Sequence, residues 1–229
     1  MGTNRVKKNN RINFGITGLL LLTFILFTAT ILTVDVLPIG PEQSVVGLAS
    51  LNKSVHDFFG INWYWYNITE WLGIIAIGVS VGFSIFGLVQ FIKKRSFKKI
   101  DSGIIVLGAF YVLAFCFYAL FEIVIINYRP IIINGSLEAS FPSSHTMIII
   151  CIMATAIIQF NVLLKNRKIQ IAANLISSLI IVITIIGRTV SGVHWFTDIV
   201  GGSLLGSALV MLYYSVLKYI DYRKCTVDK

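Results

Sequence analysis

An all-α integral membrane protein of six transmembrane helices is the fold class this sequence predicts, and three observations predict it. Apolar residues fill 56% of the 229 positions and charged residues only 13%, with a mean hydropathy of +0.84. Soluble domains are roughly half apolar but about a quarter charged, so this composition excludes one. The apolar residues also fall into six runs, each close to the ~20 residues that cross a hydrocarbon core. Lys and Arg gather in short clusters between those runs.

The runs can be taken in order. Residues 1–12 are a polar tail with Arg5, Lys7, Lys8 and Arg11, followed by the first run at 14–34. That run is longer than a signal-peptide core and has no small-residue cleavage site, so it reads as a retained helix. Residues 35–71 form a long outer connection holding Pro38, Pro41, His56 and the aromatic cluster Trp63-Tyr64-Trp65-Tyr66. Such rings favour the headgroup level, which predicts a short interfacial helix here. His56 has no partner at motif spacing and reads as a surface histidine. The remaining runs are 72–92, 104–126, 144–164, 169–186 and 199–219, with a basic tail at 220–229. The whole chain, 1–229, reads as a single transmembrane domain.

Charge then orients the helices. Sixteen Lys and Arg fall on the side of both termini, against Lys53, Arg129 and Arg188 on the other. By the positive-inside rule both termini are cytoplasmic. The formal charge of +9 belongs to loops facing anionic lipid rather than to a nucleic-acid surface, so membrane lipids are the expected partners. Cys116, Cys151 and Cys225 are odd in number and imply neither a disulfide framework nor a metal site. Frequent Ile, Lys and Asn point to a bacterial plasma membrane.

Chemistry concentrates between Asn127 and Asp198. Polar islands there are Tyr128-Arg129-Pro130, Phe141-Pro142-Ser143-Ser144-His145, Gly187-Arg188 and Gly192-Val193-His194, ending at Asp198. With six alternating spans, all of them reach the outer face, where they can share a pocket. The two arginines offer planar donor forks suited to phosphate oxygens. Pro142 suits the first position of the fourth helix, whose N-terminal N–H groups and dipole would favour an anion. His194 and Asp198 stand one helical turn apart, so the carboxylate can hold one ring nitrogen and leave the other free to attack. His145 remains as a proton donor. Singly, each feature has a plainer reading: a snorkelling arginine, an ordinary helix cap, a structural His–Asp pair. Their arrival on one face favours a site.

These residues resemble the type 2 phosphatidic acid phosphatase (PAP2) superfamily, membrane relatives of the vanadium haloperoxidases. The family pattern is Lys, six residues, Arg-Pro; then Pro-Ser-Gly-His; then Ser-Arg, five residues, His, three residues, Asp. Arg129-Pro130, Pro142-Ser143-Ser144-His145, and Arg188, His194 and Asp198 match it, with Ser144 for Gly and Gly187 for Ser. The resemblance implies a six-helix fold and hydrolysis of a phosphate ester without metal or cofactor. It makes His194 the nucleophile that becomes a phosphohistidine, Asp198 its orienting acid and His145 the proton donor. Arg129, Arg188 and Ser143, with Ser144 beside them, would bind the phosphoryl oxygens.

One position departs in charge: Glu122 stands where the family has its first Lys. On a helix continuing to Arg129 the two would share a face, and a carboxylate within a membrane costs roughly 2.5–3.5 kcal/mol unless paired or protonated. Glu122 would then pair with a site arginine, recognise a cationic group on the substrate, or mark weakened hydrolysis. The expected function is a lipid phosphatase acting at the outer face on undecaprenyl diphosphate, phosphatidic acid or phosphatidylglycerol phosphate. The alternative is a non-catalytic binder or transporter of lipid phosphates.

Overall fold

The computed structural model describes residues 2–96, 100–133 and 135–227; Lys98, Lys99 and Lys229 of the expected cytoplasmic clusters lie outside them. Among the described residues seven α-helices form: α1 (Gly2–Thr33), α2 (Ala49–Phe59), α3 (Trp63–Lys94), α4 (Ser102–Ile123), α5 (Ser144–Leu163), α6 (Arg167–Ser191) and α7 (Phe196–Val227). All but α2 are long and apolar enough to cross a membrane, giving the six expected spans. α2 lies within the 35–71 connection, and the aromatic cluster from which an interfacial helix was expected there opens α3 instead. The only β pairing among the described residues is in isolated bridges.

Several boundaries differ from the sequence expectation, each for a local reason. α3 starts at Trp63 rather than 72, because the Asn62 side chain accepts from Tyr64 N at 3.1 Å and Trp65 N at 3.2 Å. That cap draws the aromatic cluster and Glu70 into the helix. α4 stops at Ile123, short of the expected 126. Beyond it the chain doubles back, with Arg129 N donating to Glu138 O at 3.1 Å and Ser140 N to Asn127 O at 2.9 Å. Pro130 has no N–H and opposes a helix here, so Arg129 sits on a loop. The described parts of the two tails, 2–12 and 220–227, are helical: α1 begins at Gly2 and α7 runs to Val227. Neither Pro nor Gly interrupts 3–14 or 207–227, and helix simply propagates through them.

α5 and α7 form the centre of the bundle. Over their apolar windows 56% and 50% of residues are buried, against 11% for α3. Met147 and Cys151 of α5 and Leu205, Leu209 and Tyr213 of α7 pack with Phe24 and Ile31 of α1 and Leu107 and Phe110 of α4. The outward faces expose Leu19, Ile77, Val112 and Ile176, as a lipid-facing surface would. Two polar pairs link helices inside the bundle: Thr17 with Ser215 at 3.2 Å, and Gln159 with the Tyr213 hydroxyl. Such pairs join helices where apolar contact with lipid gives no preference.

The start of α7 is tied to three segments at one end of the bundle. Asn52 of α2 donates to Thr197 Oγ1 at 2.9 Å and accepts from Thr197 N at 3.1 Å. Trp195 Nε1 donates to Tyr128 O at 2.8 Å, and Asn62 N to Ser191 O at 2.9 Å. Gly192 makes the α6–α7 turn at φ +66°, where a Cβ would lie 2.0 Å from Gly60 O. Only glycine fits that turn without moving the loop before α3.

Candidate active site

His194 projects from this turn, before α7 begins, and is almost fully buried. Asp198 stands in the first turn of α7. The expected pairing along one helix face is therefore replaced by a turn-to-helix pairing, with Nδ1 of His194 3.8 Å from Oδ2 of Asp198. Ser140 closes that gap: its Oγ lies 2.9 Å from His194 Nδ1 and 2.5 Å from Asp198 Oδ2. One hydroxyl carries one proton. With the carboxylate accepting it, Ser140 must accept in turn from Nδ1–H, which leaves the lone pair on Nε2. Asp198 is held by Trp195 N at 2.9 Å and Asn127 Nδ2 at 3.4 Å. His194 Nε2 itself is buried with no partner. Burial first, then the charges of Arg129, Arg188 and His145, hold this imidazole well below its ordinary 6.5, so it is neutral, as a nucleophile must be.

Arg188 lies in the last turn of α6 with a fully buried side chain. Its Nη2 donates to Glu70 at 2.7 Å, and its guanidinium lies 5.2 Å from the Tyr66 ring centroid. Nε and Nη1 are buried without partners. A buried cation leaving two donors unused is a costly arrangement that an anion would complete. Arg129 forms an ion pair with Glu138, Nε to Oε2 at 3.2 Å. His145, in the first turn of α5, meets Glu70 Oε2 through Nε2 at 3.1 Å.

The expected serines divide in role. Ser143 is the N-cap of α5, its Oγ 3.5 Å from Thr146 N and 3.0 Å from Thr146 Oγ1, while its N–H donates to Asp198 O at 2.9 Å. Pro142 thus precedes the cap instead of opening the helix. Ser144 lines a groove together with His145. Gly187 departs from the family serine for a steric reason: a Cβ there would meet Thr69 Cγ2 at 2.7 Å and Trp65 Cε3 at 3.0 Å.

Glu122 does not pair with a site arginine. It is exposed at the end of α4, shares a crevice with Ser140 and Ser144, and the arginines take Glu138 and Glu70 instead. Because α4 ends before Arg129, the shared face does not exist. Glu70, Glu138 and Ser140 were missed by sequence reasoning. His56, read as a surface residue, packs against Trp195 with ring centroids 5.6 Å apart.

A groove of about 340 Å³ begins at Glu70, Ser144 and His145 and continues along Ile74, Ile77, Phe115 and Ile148. Ile74, Ile77 and Phe115 are exposed, so it opens on the lipid-facing side of the bundle. Polar at its inner end and apolar beyond, it has the character of a site for an amphipathic anion.

Fold and site together define a multi-pass membrane protein in which buried Arg188, His194 and Asp198 cluster near an apolar groove that reaches Glu70 and His145. Residues 123–222 match the model of the PAP2 superfamily, the stretch that carries all the motif residues from Arg129 to Asp198. Among solved structures, the fold resembles the transmembrane PAP2-type phosphatidylglycerolphosphate phosphatase of Bacillus subtilis, with a TM-score of 0.60 and 21% sequence identity over 89% of this chain and 96% of that one. No curated protein matches this chain. The match over 123–222 and the shared fold agree on a multi-pass membrane protein of this architecture.

Proposed function

We propose that this protein is a lipid phosphatase that cleaves a phosphomonoester or diphosphate from a long apolar tail through a phosphohistidine on His194, without a metal. The observation that carries the reading is the set of unpartnered buried atoms, Nε2 of His194 and Nε and Nη1 of Arg188. A nucleophile's lone pair and a phosphate clamp are left open, and His145 lines the adjoining apolar groove. Phosphoryl oxygens bind Arg188 and Arg129, with the first-turn N–H groups of α5 adding positive potential. Nε2 attacks phosphorus as the bond to the leaving oxygen breaks, and His145 gives that oxygen its proton. Water then gives a proton to His145 and attacks phosphorus, the P–N bond breaks, and inorganic phosphate leaves. The tail lies in the groove. The excess of basic residues beside both termini supports an outer-face site in a bacterial plasma membrane.

The test is phosphate release by purified protein from undecaprenyl diphosphate, phosphatidic acid and phosphatidylglycerol phosphate, each with EDTA present. Release from at least one lipid, undiminished by EDTA, is expected. No release from any, with lipid binding retained, would favour the non-catalytic binder.

Ser140 gives a sharper check on the mechanism. Ser140→Ala removes the link between Nδ1 and Asp198, a hydrogen bond to a charged group worth roughly 1.5–3 kcal/mol. The variant is expected to lose about 10- to 100-fold in kcat with little change in KM. A change confined to KM would remove Ser140 from the nucleophile's support.

A further inference from the structure

Glu70 is a carboxylate planted where a substrate's anion must bind. One oxygen, Oε1, takes the Arg188 Nη2 donor at 2.7 Å, and the other, Oε2, takes His145 Nε2 at 3.1 Å. Its side chain is about one-third exposed, whereas that of Arg188 is wholly buried. It stands at the polar end of the apolar groove, one turn of α3 before Gly73, against which the His145 ring packs.

Resting on the phosphatase reading above, we propose that Glu70 is a specificity-determining residue: a built-in competitor for the phosphate site that admits phosphates carried on an apolar tail and rejects water-soluble ones. His145 Nε2 cannot donate fully to Glu70 and to a leaving oxygen at once, so turnover requires the bridge to open. An incoming phosphate must also bear the repulsion of a carboxylate beside its clamp. Inorganic phosphate or a small ester has only its own charge to offset this. A lipid phosphate is held in the bilayer with its tail along Ile74, Ile77, Phe115 and Ile148, which keeps its headgroup at the site at a high effective concentration that a soluble ester lacks. That local concentration offsets one unfavourable charge contact. The same bridge, re-forming after hydrolysis, drives out the inorganic phosphate product.

Glu70→Gln keeps the shape of the side chain and removes its charge. Relative to the wild type, it is expected to bind vanadate and inorganic phosphate about tenfold more tightly, the size of effect usual for a partly buried charge contact. KM for p-nitrophenyl phosphate should fall by a similar factor while KM for a micellar lipid phosphate changes little, so that discrimination between them narrows. Glu70→Asp keeps the charge but is too short to span both partners, and its vanadate affinity should lie between the two. Direct binding of vanadate and phosphate, followed by calorimetry on the full-length protein in detergent, reads this out even without turnover. A wild type that binds vanadate but releases no phosphate from any lipid would defeat the phosphatase reading alone. Unchanged or weaker vanadate binding in Glu70→Gln, or equal loss of affinity for soluble and lipid phosphates, would overturn the competitor role. So would failure of both variants to elute as the wild type does, since that outcome makes the bridge structural.

Discussion

Replacing His194 by alanine is expected to lower phosphate release at least ~10³-fold, on the scale of losing a catalytic nucleophile. The residue meets each requirement for that role. Its Nε2 is buried and unpartnered, its Nδ1 is held by Ser140, and its ring is kept neutral by burial and by nearby cationic groups. Binding should survive the change, because the clamp proposed for the phosphate is Arg188 with Arg129 and the place proposed for the tail is the groove. The measurement pairs turnover with trapping. Wild-type protein, quenched in alkali during turnover of a ³²P-labelled lipid phosphate, should retain acid-labile label, the behaviour of a P–N bond, and the alanine variant should retain none. Retention of more than about a tenth of wild-type turnover by that variant would place the nucleophile elsewhere.

How far the sequence reaches can be judged from particular residues. Hydropathy located all six spans because a bilayer imposes length and apolarity together, and both are local properties of the chain. Arg188, His194 and Asp198 could be placed at one end because alternating spans leave only two ends to choose from. Glu70 was lost through a boundary. The sequence reading began the second span at 72, which put this carboxylate in a loop, whereas the Asn62 cap starts α3 at Trp63 and carries it into the bundle. The lone-acid signal existed, but it was spent on Glu122, which lies exposed at the end of α4. Ser140 and Glu138 were hidden differently. They reach His194 and Arg129 through a backbone pairing of Asn127 and Arg129 with Ser140 and Glu138, and no periodicity encodes the register of such a loop. Serine a few residues before a helix start is also too common to stand out.

Arg188→Lys carries the second large effect, a fall of about 10²-fold in kcat/KM for any lipid phosphate. Positive charge is retained, so a site that needed only charge would tolerate the change. This site needs more, because the guanidinium is used in three directions. Nη2 holds Glu70, Nε and Nη1 are buried without a partner, and Cζ lies over the Tyr66 ring. An ammonium is a compact, strongly hydrated point charge that cannot serve all three, and burial at 0% exposure makes its dehydration more costly than that of a guanidinium. Glu70 would lose its short contact as well, keeping His145 and the Tyr66 hydroxyl as neighbours. The loss should therefore appear in kcat and in vanadate affinity together. Arg129→Lys is the internal comparison: Arg129 is more exposed and already ion-paired with Glu138, so its lysine variant should lose less. Equal losses at the two positions, or a lysine at neither costing more than about threefold, would mean that charge alone binds the phosphate and that the fork geometry of Arg188 is incidental.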